Sequence, residues 1–227
     1  MNWHLIIDAD DTLWENNIYF EAAFDHFVRF LDHPALSGAE IREELNVIEM
    51  ENAKHHGYGS VNFGRNMVEC LHKLSARPVE AWEEETVRDF AHVILDHPMV
   101  ILPGVEETLC YLSAKYELTM FTKGSVAEQR KKVVRSNLAK YFAHVEVTKE
   151  KHREAYLDLV SLKQMERERA WMIGNSPKSD INPALAAGLN AAYVPHERTW
   201  VLEREQFRPG TGQLLMLKNF AELREHF

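Results

Sequence analysis

A short apolar run, Trp3-His4-Leu5-Ile6-Ile7, breaks straight into Asp8-Ala9-Asp10-Asp11-Thr12. A run this brief and this rich in β-forming side chains reads as a strand buried on both faces, the pattern of a parallel sheet. Ligands of open α/β sheets bind beyond the carboxyl ends of the strands. A strand ending in three acids therefore sets carboxylates where a ligand would sit.

The next eighty residues do not continue a sheet. Phe20, Phe24, Phe27 and Leu31 share one helix face, as do Ile41, Leu45 and Ile48, then Met67, Leu71 and Leu74, then Val87, Phe90 and Ile94. These spacings follow the 3.6-residue period, with breaks at Pro34, Gly57 and Pro78. Four successive helices with no strand between them predict a small bundle. After His97-Pro98 the chain alternates. Strands are expected at 118–122, 144–147, 171–174 and 191–194. Helices are expected at 125–136, 152–165 and 179–187, with a last strand at 214–217 and a short helix at 221–227. Alternating units imply a doubly wound parallel sheet covered by helices on both faces. The expected organisation is an α/β core of residues 1–15 and 98–227, interrupted by an inserted α-helical domain at 16–97.

Composition narrows the partners. The chain has 227 residues, 45% of them hydrophobic and 27% charged, and a net charge of -9. That charge repels a phosphate backbone, so nucleic acid is not an expected partner. No apolar run reaches the length of a membrane span, and a cytoplasmic location is the simplest expectation. Cys70 and Cys110 lack metal-ligand spacing and read as small buried hydrophobes. The 12 histidines lack the spacing of a helical zinc motif and read as solvated. Monomer and dimer are equally open.

The chemistry-bearing residues follow the predicted strands. Asp8, Asp10, Asp11 and Thr12 follow the first, and Thr122, Lys123 and Gly124 the second. Lys149 and Lys151 follow the third, and Gly174, Asn175, Ser176 and Asp180 the fourth. Asp11 reads as a helix cap or a solvated acid. Asp180 reads either as a ligand or as an N-cap. Trp14, just past the loop, is expected to pack at the hinge between the core and the inserted domain or to line the substrate pocket.

The ordered set resembles the haloacid dehalogenase (HAD) superfamily of phosphohydrolases. Its first signature, DxDxT, is matched by Asp8 to Thr12, and its second, an apolar strand ending in Ser or Thr, by Met120-Phe121-Thr122. Its third, a lysine ahead of a helix, is matched best by Lys151, which immediately precedes its helix; Lys149 lies in the same loop. Its fourth, GDxxxxD, is matched by Gly174 to Asp180, with Asn175 in place of the usual first aspartate. The helical insertion resembles the cap of that family, on a Rossmann-like core.

The resemblance implies a Mg²⁺-dependent phosphatase acting on a small phosphorylated metabolite. Asp8 would attack phosphorus and form an aspartyl-phosphate, with Asp10 as general acid and base. Thr122, Lys123, Gly124 and Lys151 would hold the phosphoryl group. Mg²⁺ would be held by Asp8, the Asp10 backbone carbonyl, Asp180 and Asn175, all hard oxygen donors. A cation is needed because two unit charges of like sign at ~4 Å repel by roughly 4 kcal/mol at an effective dielectric near 20. The acidic surroundings are expected to raise the Asp10 pKa. The same residues would serve a phosphomutase or phosphotransferase. A receiver-like phospho-acceptor protein also uses acids, a Thr and a Lys, but lacks an inserted bundle. Haloacid dehalogenation is disfavoured by the acid at position 10, which those relatives do not need.

Overall fold

The computed structural model describes residues 3–227; Met1 and Asn2, placed with the core by the sequence reading, lie outside it. The chain divides into two compact units. One runs to Glu15 and resumes over Met99–Phe227, and the other is Asn16–Pro98. The first unit starts with β1 (His4–Ile7). The second contributes α1 (Asn17–Leu31), α2 (Gly38–His56), α3 (Ser60–Leu74) and α4 (Ala81–His92). The first then continues through α5 (Val105–Ser113), β2 (Glu117–Lys123), α6 (Val126–Ser136), β3 (His144–Thr148) and α7 (Arg153–Leu162). It ends with β4 (Ala170–Gly174), α8 (Asn182–Ala186), β5 (Asn190–Tyr193), β6 (Leu214–Met216) and α9 (Leu223–His226).

The strands form one sheet in the order β3-β2-β1-β4-β5-β6, every pair parallel. β1 is central. Successive β1 side chains enter opposite layers, as a two-residue period demands. Leu5 and Ile7 pack with Leu109 and Leu112 of α5, while Ile6 packs with Tyr156 of α7 and Met172. This explains why the run is apolar at every position: neither face meets water. The strand order reverses at β1, with β2 on one side and β4 on the other, so Asp8 leaves the sheet at its switch point.

In the helical unit, Phe27, Leu45, Met67 and Val87 come from four different helices and are fully buried together. Each contributes roughly 1.5–3 kcal/mol by burial. α2 starts with a capping box, in which the Ser37 side chain accepts from the Glu40 backbone N–H and the Glu40 carboxylate accepts in return from the Ser37 backbone N–H.

Three local expectations are corrected. The helix expected at 179–187 opens as a wide π turn, Pro177–Ile181, before α8. The last expected helix is split between a 3₁₀ turn, Phe220–Glu222, and α9. Cys110 is exposed, because α5 turns Val105, Leu109 and Leu112 inward and position 110 falls outside that face; Cys70 is buried as expected.

Candidate active site

Asp8 is 7% exposed, and its backbone N–H donates to the Ile173 carbonyl at 2.9 Å, fixing the strand end against β4. Two groups take its carboxylate. The Lys151 Nζ lies 2.5 Å from Oδ1, and the Thr12 hydroxyl lies 3.1 Å from Oδ2. Lys151 also donates to Asp180 Oδ1 at 2.8 Å. Its ammonium therefore bridges the acids that follow β1 and β4, with only 3% of the residue exposed. Lys149 is exposed, which separates the two lysines of that loop.

Burial and the charge of Asp180 push the Asp8 pKa up to about 7, against the pull of Lys151. Asp180 is likewise raised, first by its burial. Two buried carboxylates that share one lysine are short of positive charge.

Gly174 makes this pairing possible. A Cβ built there would lie 2.2 Å from Asp180 Oδ2, so any other residue would drive the carboxylate out of place. The other end of Asp180 is set by the Ser176 backbone N–H, which donates to Oδ2 at 2.9 Å. Asn175 is 5% exposed. Its backbone N–H donates to the Thr12 hydroxyl at 3.2 Å, and its side-chain Nδ2 donates to Thr199 at 3.0 Å. Its Oδ1 lies 3.1 Å from the same Thr12 hydroxyl, which has one proton to divide between Asn175 and Asp8.

Asp10 has a different environment. Lys132 of α6 reaches both its oxygens, Gln129 donates to Oδ2 at 2.9 Å, and the Trp14 indole donates to Oδ1 at 2.8 Å. Burial alone would raise its pKa, but Lys132, Gln129 and Trp14 together pull it below the ordinary carboxylate value. This overturns the expectation of a raised Asp10. The cost of burial is outweighed by a lysine brought from another helix.

The remaining expected residues differ in their placement. Thr122 is 1% exposed near the carboxyl end of β2, paired in register with Val147. Gly124 takes φ +136° and donates its N–H to the Thr148 carbonyl, which turns the chain out of the sheet. Lys123 is engaged elsewhere: its ammonium lies 2.6 Å from Glu203 and 2.9 Å from the Ser179 hydroxyl. It braces the loop after β4 and does not present a free charge. Asp11 is 6% exposed with φ +57°, so it is neither a helix cap facing water nor a solvated acid. Trp14 is wholly buried.

Sequence reading missed Lys132, Gln129 and Glu203. For Gln129 and Lys132 a signal existed. They stand three apart on an expected helix, on the face that also carries Val133 inward, and are 4% and 7% exposed. Glu203 sits in a tail with no readable periodicity.

The fold and the rim define a class: a doubly wound α/β domain with an inserted helical unit and an acid–lysine cluster at its switch point. Residues 4–188 match the haloacid dehalogenase-like hydrolase family, and the chain belongs to it. A haloacid dehalogenase-like family hydrolase from Xanthomonas campestris is 29% identical with a TM-score of 0.80, covering 91% of this chain and 85% of that one. A 2-haloacid dehalogenase from Pseudomonas syringae pv. Tomato is 22% identical with a TM-score of 0.62, covering 99% and 97%. A predicted phosphoglycolate phosphatase from Haemophilus somnus is 16% identical with a TM-score of 0.69, covering 99% and 97%. No protein of curated function matches the chain. Among the described residues no helix is long and apolar enough to cross a membrane.

Proposed function

We propose that the chain is a phosphatase that hydrolyses a small phosphomonoester through an aspartyl-phosphate on Asp8. Solved structures of similar fold carry dehalogenase and phosphatase names alike, so fold does not choose between the two chemistries. The observation that carries the choice is the contrast between two carboxylates two residues apart. Asp8 is paired with Lys151 and raised to about 7, while Asp10 is paired with Lys132 and lowered. Carboxylates whose environments push their pKa values apart are suited to different roles in one reaction. A dehalogenase of this family does not need an acid at the second position.

The donor set fits a hard divalent cation. Asp8, Asp180, the Asp10 carbonyl and the Asn175 amide all offer oxygen, which suits Mg²⁺. When bound, Mg²⁺ would supply charge neutralisation for the phosphoryl group. The residues do the rest. Asp8 Oδ attacks phosphorus, and the bond to the leaving oxygen breaks. Lys151 neutralises charge on Asp8 and on the transferring group. Thr122 donates to a phosphoryl oxygen. Asp10, already ionised, suits the second half, taking a proton from the water that opens the aspartyl-phosphate. Protonating the leaving oxygen in the first half requires Asp10 to loosen from Lys132.

The test is turnover of p-nitrophenyl phosphate and a panel of phosphorylated metabolites, with and without Mg²⁺, by the wild type and by Asp8→Ala. Mg²⁺-dependent release of phosphate that disappears in a folded Asp8→Ala variant is expected. Undiminished turnover by that variant refutes the assignment. Release of halide from 2-haloacids, without phosphatase activity, replaces it.

A further inference from the structure

We infer that Asp11, Glu15 and His196 form a second cation site, for a divalent transition-metal ion, separate from the Asp8–Asp180 cluster. One ligand atom from each lies within 4.8 Å of the other two. Asp11 belongs to the loop after β1, Glu15 follows it, and His196 stands in the loop after β5.

The spacing is what an ordinary ion-pair cluster lacks. An imidazolium between two carboxylates donates from its nitrogens at about 2.7–2.9 Å. Here His196 Nδ1 is 3.9 Å from Asp11 Oδ1, and Nε2 is 3.4 Å from Glu15 Oε2. His196 Nδ1 and Glu15 Oε2 are both out of water, and neither has a hydrogen-bond partner. Buried polar atoms without partners are rare and need a reason such as an ion. The three side chains are 7%, 25% and 12% exposed, so the group is largely withdrawn from solvent.

The donors select the ion. One imidazole nitrogen with two carboxylate oxygens suits Zn²⁺, Mn²⁺ or Fe²⁺, whereas Mg²⁺ and Ca²⁺ favour oxygen alone. Such an ion would fasten the loop that carries Asp8 and Asp10 to the β5 loop. That loop already reaches the rim by hydrogen bonds: Thr199 donates to the His196 carbonyl at 3.0 Å and accepts from Asn175 at 3.0 Å.

The test uses the whole chain saturated with Mg²⁺, so that the Asp8–Asp180 cluster is occupied, and titrates Zn²⁺ by calorimetry. A Zn²⁺-soaked crystal supplies an anomalous difference map. One Zn²⁺ per chain is expected, with an anomalous peak about 2.1 Å from a His196 nitrogen. Loss of an outer-shell partner weakens metal binding by about 10–100-fold, so His196→Ala and Glu15→Gln should weaken it at least that much. If His196→Ala does not fold, His196→Gln carries the same readings. Zn²⁺ found only at Asp8 and Asp180, no bound Zn²⁺, or unchanged affinity in these variants overturns the assignment.

Discussion

Lys132 holds both oxygens of the Asp10 carboxylate, 2.9 Å from Oδ1 and 2.8 Å from Oδ2, across 122 residues of chain. The contact keeps Asp10 ionised and ties its proton chemistry to a residue on α6. Replacing Lys132 by Met removes the main attraction that lowers the Asp10 pKa, so that pKa rises. The acid limb of the pH profile of kcat/KM, which reports the free enzyme, is expected to move to higher pH, and kcat to fall by about 10–100-fold. An unshifted profile removes Asp10 from proton transfer.

The proposed Mg²⁺ site would make Asp8 a link between cation binding and pH. Its pKa of about 7 exceeds the ordinary 3.8, so the metal-free folded chain holds this proton more tightly than the unfolded chain. That contribution to stability is present at low pH and is lost as pH rises through about 7. On the proposed function, a Mg²⁺ ion held by Asp8 would compete with the same proton. Its affinity should rise with pH by up to about tenfold per unit below 7 and level off above it. Calorimetric Mg²⁺ titrations between pH 5.5 and 8.5 measure the slope, and a flat profile contradicts the placement of Asp8 beside the ion.

Asn175→Asp supplies the carboxylate that the GDxxxxD signature has at this position. Mg²⁺ affinity is expected to increase by about tenfold. The same change deletes the Nδ2 donor to buried Thr199, so stability should drop by about 1–3 kcal/mol without Mg²⁺. Thermal melts with and without Mg²⁺ separate the two effects, and a variant with neither change rules out both.

In the helical unit, Glu49 is 7% exposed and one of its oxygens lacks a hydrogen-bond partner. Burial raises its pKa to about 8; Arg42 opposes the shift and Glu21 adds to it. Between 4.5 and about 8 the folded form binds this proton and the unfolded form does not, so stability falls as pH rises through that window. At about 1.4 kcal/mol per unit, the full effect is bounded near about 5 kcal/mol. Glu49→Gln should flatten the fall, raising Tm at pH 9 by several degrees while leaving pH 5 little changed. Parallel pH–Tm curves for the two proteins overturn this.

What the sequence made legible was local. β1 announces itself because both faces are buried, so its side chains are uniformly apolar. Lys151 and Asp180 could be placed at the rim because each sits at a strand end that periodicity reveals. Lys132 could not be paired with Asp10, since that pairing depends on how α6 crosses back over the sheet. Asp11 was misread because nothing in the sequence marks its left-handed backbone, φ +57°, or its burial. Lys123 read equally as a substrate contact or a solvated charge, because its partner Glu203 comes from a stretch without a pattern.

The π turn at Pro177–Ile181 carries a consequence for how such a protein can vary. Its Ile181 N–H reaches back five residues to the Ser176 carbonyl at 3.1 Å. Such turns hold one residue more than an α-turn. Deleting a single amino acid there would regularise the helix and swing Asp180 by about 100° around its axis, away from Lys151. In this stretch the number of residues is thus as strictly constrained as their identity, and natural or engineered length variants should be confined to the loops beyond α8.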